Sequence, residues 1–72
     1  MSATSDIFDL AGDELATARV CIDKGRAAAS AGIEQVAVWD AMDAYYALKR
    51  VLLMVAYVAV PGLSGDPSGA RA

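Results

Sequence analysis

The stretch Ala27-Ala28-Ala29-Ser30-Ala31-Gly32-Ile33-Glu34 decides how this chain folds. Alanine is the strongest helix former, glycine is the residue most often found just past a helix C-terminus, and an acid such as Glu34 suits the first turn of the next helix. A connection this short joins antiparallel neighbours and is too short to bring a second helix back parallel. The spacing therefore predicts an all-α fold, an antiparallel two-helix hairpin over residues 1–60, with helix 1 at about 6–31 and helix 2 at about 33–60.

Working outward towards the N-terminus, Ser5 or Asp6 is placed to cap helix 1. The acids Asp6, Asp9, Asp13 and Glu14 come early in it and Arg19, Lys24 and Arg26 come late, which complements the helix dipole. Gly12 and Gly25 lie inside that span; each costs about 1 kcal/mol relative to alanine and marks a place where the helix could break. Towards the C-terminus, Asp40 and Asp43 precede Lys49 and Arg50, and Pro61-Gly62 is expected to stop helix 2. Residues 61–72, rich in Gly, Pro and Ser, read as a flexible tail.

Counted in sevens, helix 1 places Phe8, Leu15, Ile22 and Ala29 on one position and Ala11, Ala18, Gly25 and Gly32 on another, so bulky and small residues alternate. Gly25 then reads as the point where another helix comes close. Helix 2 is apolar on two sides. Ala37, Ala41, Ala44, Leu48, Val51, Val55 and Val58 form a stripe of small and aliphatic residues suited to packing on helix 1. Across the axis, Trp39, Met42, Tyr46, Leu53, Tyr57 and Val60 form a bulkier stripe flanked by Asp43, Lys49 and Arg50. With the turn at Gly32 and equal rise along both helices, Lys49 and Arg50 fall near Glu14 and Asp13, and Asp40 and Asp43 fall near Arg26, Lys24 and Arg19.

A chain of 72 residues in which 16 of 41 apolar residues are alanine carries few bulky side chains. Chains this short rarely stabilise themselves with one core. Cys21 is the only cysteine and there is no histidine, which excludes an internal disulfide, a zinc finger and thiol–imidazole or serine–histidine catalysis within one chain. Support is expected from a second chain, most simply in a homodimer forming a four-helix bundle. The net charge of −3 makes the chain acidic and leaves no cationic excess for a phosphate backbone, so nucleic acid is not an expected partner.

The acidic pairs Asp13-Glu14 and Asp40 with Asp43 read as solvated helix-start acids, since neither a cation cage nor a divergent acid–base environment is evident; no metal and no cofactor is expected. Cys21 lies near Arg19 and Lys24, but without a histidine or resolving cysteine it reads as a packed residue. The apolar run 51–60 is ten residues long, and the charges that precede it argue against a membrane span, which needs about 20. The N-terminus has neither the basic nor the apolar region of a signal peptide, so a cytoplasmic location is expected.

Function therefore rests on the aromatic face. Trp39, Met42, Tyr46, Arg50, Leu53 and Tyr57 are of the types that dominate interface hot spots, and they read as a dimer or partner interface. The expected role is a small non-enzymatic interaction protein, an adaptor or accessory subunit. The rival expectation is a small-molecule-binding or catalytic bundle whose pocket, between subunits, is lined by Trp39, Asp43, Tyr46, Arg50 and Tyr57.

Overall fold

The computed structural model describes residues 3–64, which form two helices, α1 (Ala3–Ser30) and α2 (Glu34–Ser64), packed against each other as an all-α hairpin. The turn lies where the sequence placed it. Gly32 has φ of +79°, the left-handed conformation that costs glycine nothing and other residues about 1–2 kcal/mol. Its N–H donates to the Ala29 carbonyl (3.0 Å) and the Ile33 N–H donates to the Ala28 carbonyl (2.8 Å). This pair of bonds is the Schellman closure of α1. The Ile33 carbonyl then accepts the first bond of α2, from the Ala37 N–H at 3.2 Å, so one residue closes the first helix and opens the second.

Both helices exceed their expected bounds. α1 begins at Ala3 rather than at residue 6, and neither Gly12 nor Gly25 interrupts it. α2 does not stop at residue 60 but runs through Pro61 to Ser64. Proline has no N–H to give the Tyr57 carbonyl, but only three helical residues follow it, so that one bond is the whole loss in an end whose last carbonyls lack helical donors anyway. Residues 61–64 thus belong to the helix, and the remainder of the expected tail, 65–72, lies outside the described residues.

The seam between the helices follows an unbroken alternation of three and four. On α1 the buried and half-buried positions are Ile7, Ala11, Glu14, Ala18, Cys21, Gly25 and Ala28. On α2 they include Ala37, Asp40, Ala44, Ala47, Val51, Met54 and Val58. Two anchors set the register. A Cβ built on Gly25 would stand 3.2 Å from the Cβ of Asp40, so glycine is what lets the backbones approach there. Farther from the turn, Arg50 Nη2 meets Glu14 Oε1 at 3.0 Å, one of the ion pairs the charge pattern predicted. In that register Ala18, 1% exposed, faces Ala47, 0% exposed.

The seam corrects the sequence reading on three points. Ala11, Ala18 and Gly25 do pack inward, but Phe8, Leu15 and Ile22 turn outward, and Ile7, Glu14, Cys21 and Ala28 take the second seam position. On α2, Ala37, Ala44, Val51 and Val58 face α1 as expected, whereas Ala41, Leu48 and Val55 are exposed and Asp40, Ala47 and Met54 replace them. Asp40 is therefore not a solvated helix-start acid: it is 9% exposed, held in the seam by the space that Gly25 leaves. The physical reason is size. Two backbones that approach closely admit only small side chains at the closest level and turn bulky ones to the sides.

Every buried apolar residue among those described is alanine. A buried methyl contributes about 0.8 kcal/mol, and ordering one residue's backbone costs about 1–2 kcal/mol. The seam fixes the spacing of the helices and contributes little net stability.

Candidate functional site

Because the most buried level of the seam uses small residues, most of the bulky ones form two flanks, one on each side of the hairpin. Counting in sevens from the seam, Trp39, Tyr46, Leu53 and Val60 lie on one flank of α2 together with Asp43, Arg50 and Tyr57, while Met42 and Lys49 lie on its outer edge. This is the aromatic face that the sequence singled out. All of its apolar members are exposed, from Met42 at 49% to Tyr57 at 74%, with Trp39 at 56%. Arg50 is half-exposed and turned to Glu14, so the face carries an ion pair at its border with α1. Beside it, Tyr45 and Tyr46 pack edge to face with ring centres 5.3 Å apart, and Lys49 Nζ lies 6.0 Å from the Tyr45 ring centre. The neighbouring positions on α1 are mixed, with Leu10 and Val20 among Asp13, Thr17 and Lys24.

The five residues proposed from sequence to line a pocket, Trp39, Asp43, Tyr46, Arg50 and Tyr57, share this open strip. A concavity among the described residues lies elsewhere. A groove of about 610 Å³ runs along the opposite flank, its lining including Leu15, Ile22 and Leu48 with Arg19, Asp23 and Arg26. Sequence reasoning missed this groove because it assigned Leu15, Ile22 and Leu48 to the contact between the two helices. The signal was present: those residues were already grouped on shared stripes, and only the direction of the stripes was misjudged.

Among the described residues, no three acidic or cysteine side chains converge on one point. Cys21 is free and half-buried in the seam, where it packs. By length and composition alone, α2 between Glu34 and Leu63 is long and apolar enough to cross a membrane, and the hairpin covers little of it. No protein-family model, curated protein or solved structure matches this chain. Its function is therefore argued from the geometry of the two flanks.

Proposed function

We propose that this chain is a small non-enzymatic interaction protein, an adaptor or accessory subunit, that self-associates as a dimeric four-helix bundle and presents the aromatic face of α2 to a protein partner. The observation that supports it is the inversion of burial: the five buried apolar residues are all alanine, while nineteen large apolar residues are more than a third exposed. Leaving that much apolar surface in water marks an association surface. A further helical layer removes it, and about 800 Å² per partner is the ordinary size of a specific interface. Trp39, Met42, Tyr46, Arg50, Leu53 and Tyr57 supply the aromatic and arginine anchors of such surfaces.

A membrane-crossing α2 suits the hairpin less well. α1 lies along α2 and carries Asp13, Glu14, Arg19, Asp23, Lys24 and Arg26 at the same depth, and charges inside a bilayer are costly. The proposed setting is the cytoplasm, where a free cysteine stays reduced. The test is the native mass and helicity of the purified chain across a concentration series, by light scattering on a sizing column and circular dichroism. The expected result is a helical dimer of twice 7.4 kDa that loses helix content as dilution dissociates it. A stable helical monomer at every concentration defeats the self-association reading.

A further inference from the structure

We infer that the second copy of this chain docks on the groove flank, the one formed by Phe8, Leu15 and Ile22 of α1 with Ala41, Leu48 and Val55 of α2, and that the aromatic strip stays outside the dimer. The inference rests on the self-association reading above and specifies its face.

On α1 the apolar stripe is Phe8, Ala11, Leu15, Ala18, Ile22 and Gly25; on α2 it is Ala37, Ala41, Ala44, Leu48, Val51 and Val55. The hairpin seam uses only the inner half of each, Ala11, Ala18 and Gly25 against Ala37, Ala44 and Val51. On both helices the unused half points to the same flank, and the shared groove lined by Leu15, Ile22 and Leu48 shows the two halves meeting there. A helix with one neighbour centres its apolar stripe on that neighbour. Here both stripes are centred between the neighbour and the groove flank, as they are for helices at the corners of a four-helix bundle.

Charge separates the two flanks. The stripe positions that face the groove side contain no charged residue on either helix. The equivalent positions on the aromatic side carry Glu14, Lys24, Asp40, Asp43 and Arg50. Closing a bundle core on the groove side buries no charge at the stripe positions and leaves Arg19, Asp23 and Arg26 at its rim, whereas closing it on the aromatic side buries several, each at a cost of several kcal/mol before pairing. Towards the rim, the groove flank has Arg19, Asp23 and Arg26 on α1 only, and α2 offers Val38, Tyr45 and Leu52. Crossing α1 over the partner's α2 therefore keeps the arginines of the two copies apart.

The area also fits a copy. Phe8, Leu15, Ile22, Leu48, Val55 and the rim residues Val38, Tyr45 and Leu52 are between 39% and 69% exposed. At about 200 Å² for a bulky residue, this flank offers on the order of 800 Å², the amount a specific dimer buries per partner.

The experiment compares Leu48→Asp with Tyr46→Asp by native mass and helicity. Leu48→Asp is expected to halve the native mass, and Tyr46→Asp to keep the dimer. Because Leu48→Asp could also fail to fold, acrylamide quenching of Trp39, the sole tryptophan, is measured on the wild-type chain above and below its dissociation concentration. Trp39, 56% exposed in the hairpin, is expected to stay open to the quencher in the dimer and to gain only the exposure that the loss of helix on dissociation brings, since it lies on the far flank. Strong shielding of Trp39 in the dimer, or dissociation by Tyr46→Asp with Leu48→Asp still dimeric, overturns the inference and leaves self-association standing on the aromatic face. A wild type that never dimerises removes both readings at once. Co-sedimentation with anionic lipid vesicles that Leu48→Asp abolishes would give the groove flank to a lipid surface instead.

Discussion

The seam and the flanks of this hairpin divide the side chains in a way opposite to that of an ordinary small domain. At the most buried level lie alanine and the Asp40 carboxylate, with Gly25 beside it; outside lie phenylalanine, leucine, tyrosine and tryptophan. The difference shows that closeness and stability are supplied by different residues. Small side chains set how near the two backbones lie, since Ala18 and Ala47 have no room to spare. The bulky ones contribute only when something covers them. A chain with bulky residues in its seam would hold its helices farther apart and could stand alone; this one gives up that self-sufficiency to form a thin layer with two apolar flanks.

The sharpest way to break the contrast is to put bulk where there is none. Ala47→Leu inserts three heavy atoms at a fully buried point facing Ala18. Overpacking of this kind costs about 1–3 kcal/mol, and in so slight a core we expect most of the helical signal to be lost at a concentration where the wild type is folded. An unchanged circular dichroism melt would show that the seam is looser than its exposures imply.

A subtler contrast uses the two glycines of α1. Gly12 has open space around it, so Gly12→Ala is expected to raise stability by about 0.5–1 kcal/mol through helix propensity alone. Gly25→Ala receives the same propensity gain but sets a methyl 3.2 Å from the Asp40 Cβ, an atom too close to its own backbone to swing aside. The helices must part by a few tenths of an ångström, so the expected outcome is no gain or a small loss. Equal gains in chemical denaturation at both positions would refute close approach at Gly25. The smallest effect belongs to Arg50→Ala, which removes the Glu14 ion pair. Such half-exposed pairs contribute about 0–1 kcal/mol, and the loss should fade as salt is raised.

Much of this architecture was legible in the sequence. The turn at Gly32 could be read because a left-handed cap has few substitutes, and the antiparallel register could be read from the expected charge pairing, of which Arg50 with Glu14 is the pair observed among the described residues. The direction of the seam was harder. Period alone gives the angular width of an apolar stripe but not which part of it touches the first neighbour, and here the stripe is wider than that neighbour covers. Size decided it, in favour of Ala47 over Leu48, one residue away from the expected position. Asp40 escaped the reading for a related reason. A carboxylate counts as polar in any pattern, and only the missing side chain on the facing helix, at Gly25, makes it a seam residue. The aromatic strip was legible as a group because Trp39, Tyr46 and Leu53 recur every seven residues, and the groove on the other flank was hidden because its residues had been assigned inward.

The left-handed turn at Gly32 has one more consequence. Nothing in a seam of alanines distinguishes the α2 of the same chain from the α2 of another, since both would offer identical methyl groups at identical spacing. What selects the tethered partner is one backbone angle, which folds the chain back on itself before a neighbour can be met. Gly32 is in this sense the residue that keeps the protein from exchanging helices, and a chain unable to turn there would still satisfy every seam contact, but as an intertwined pair.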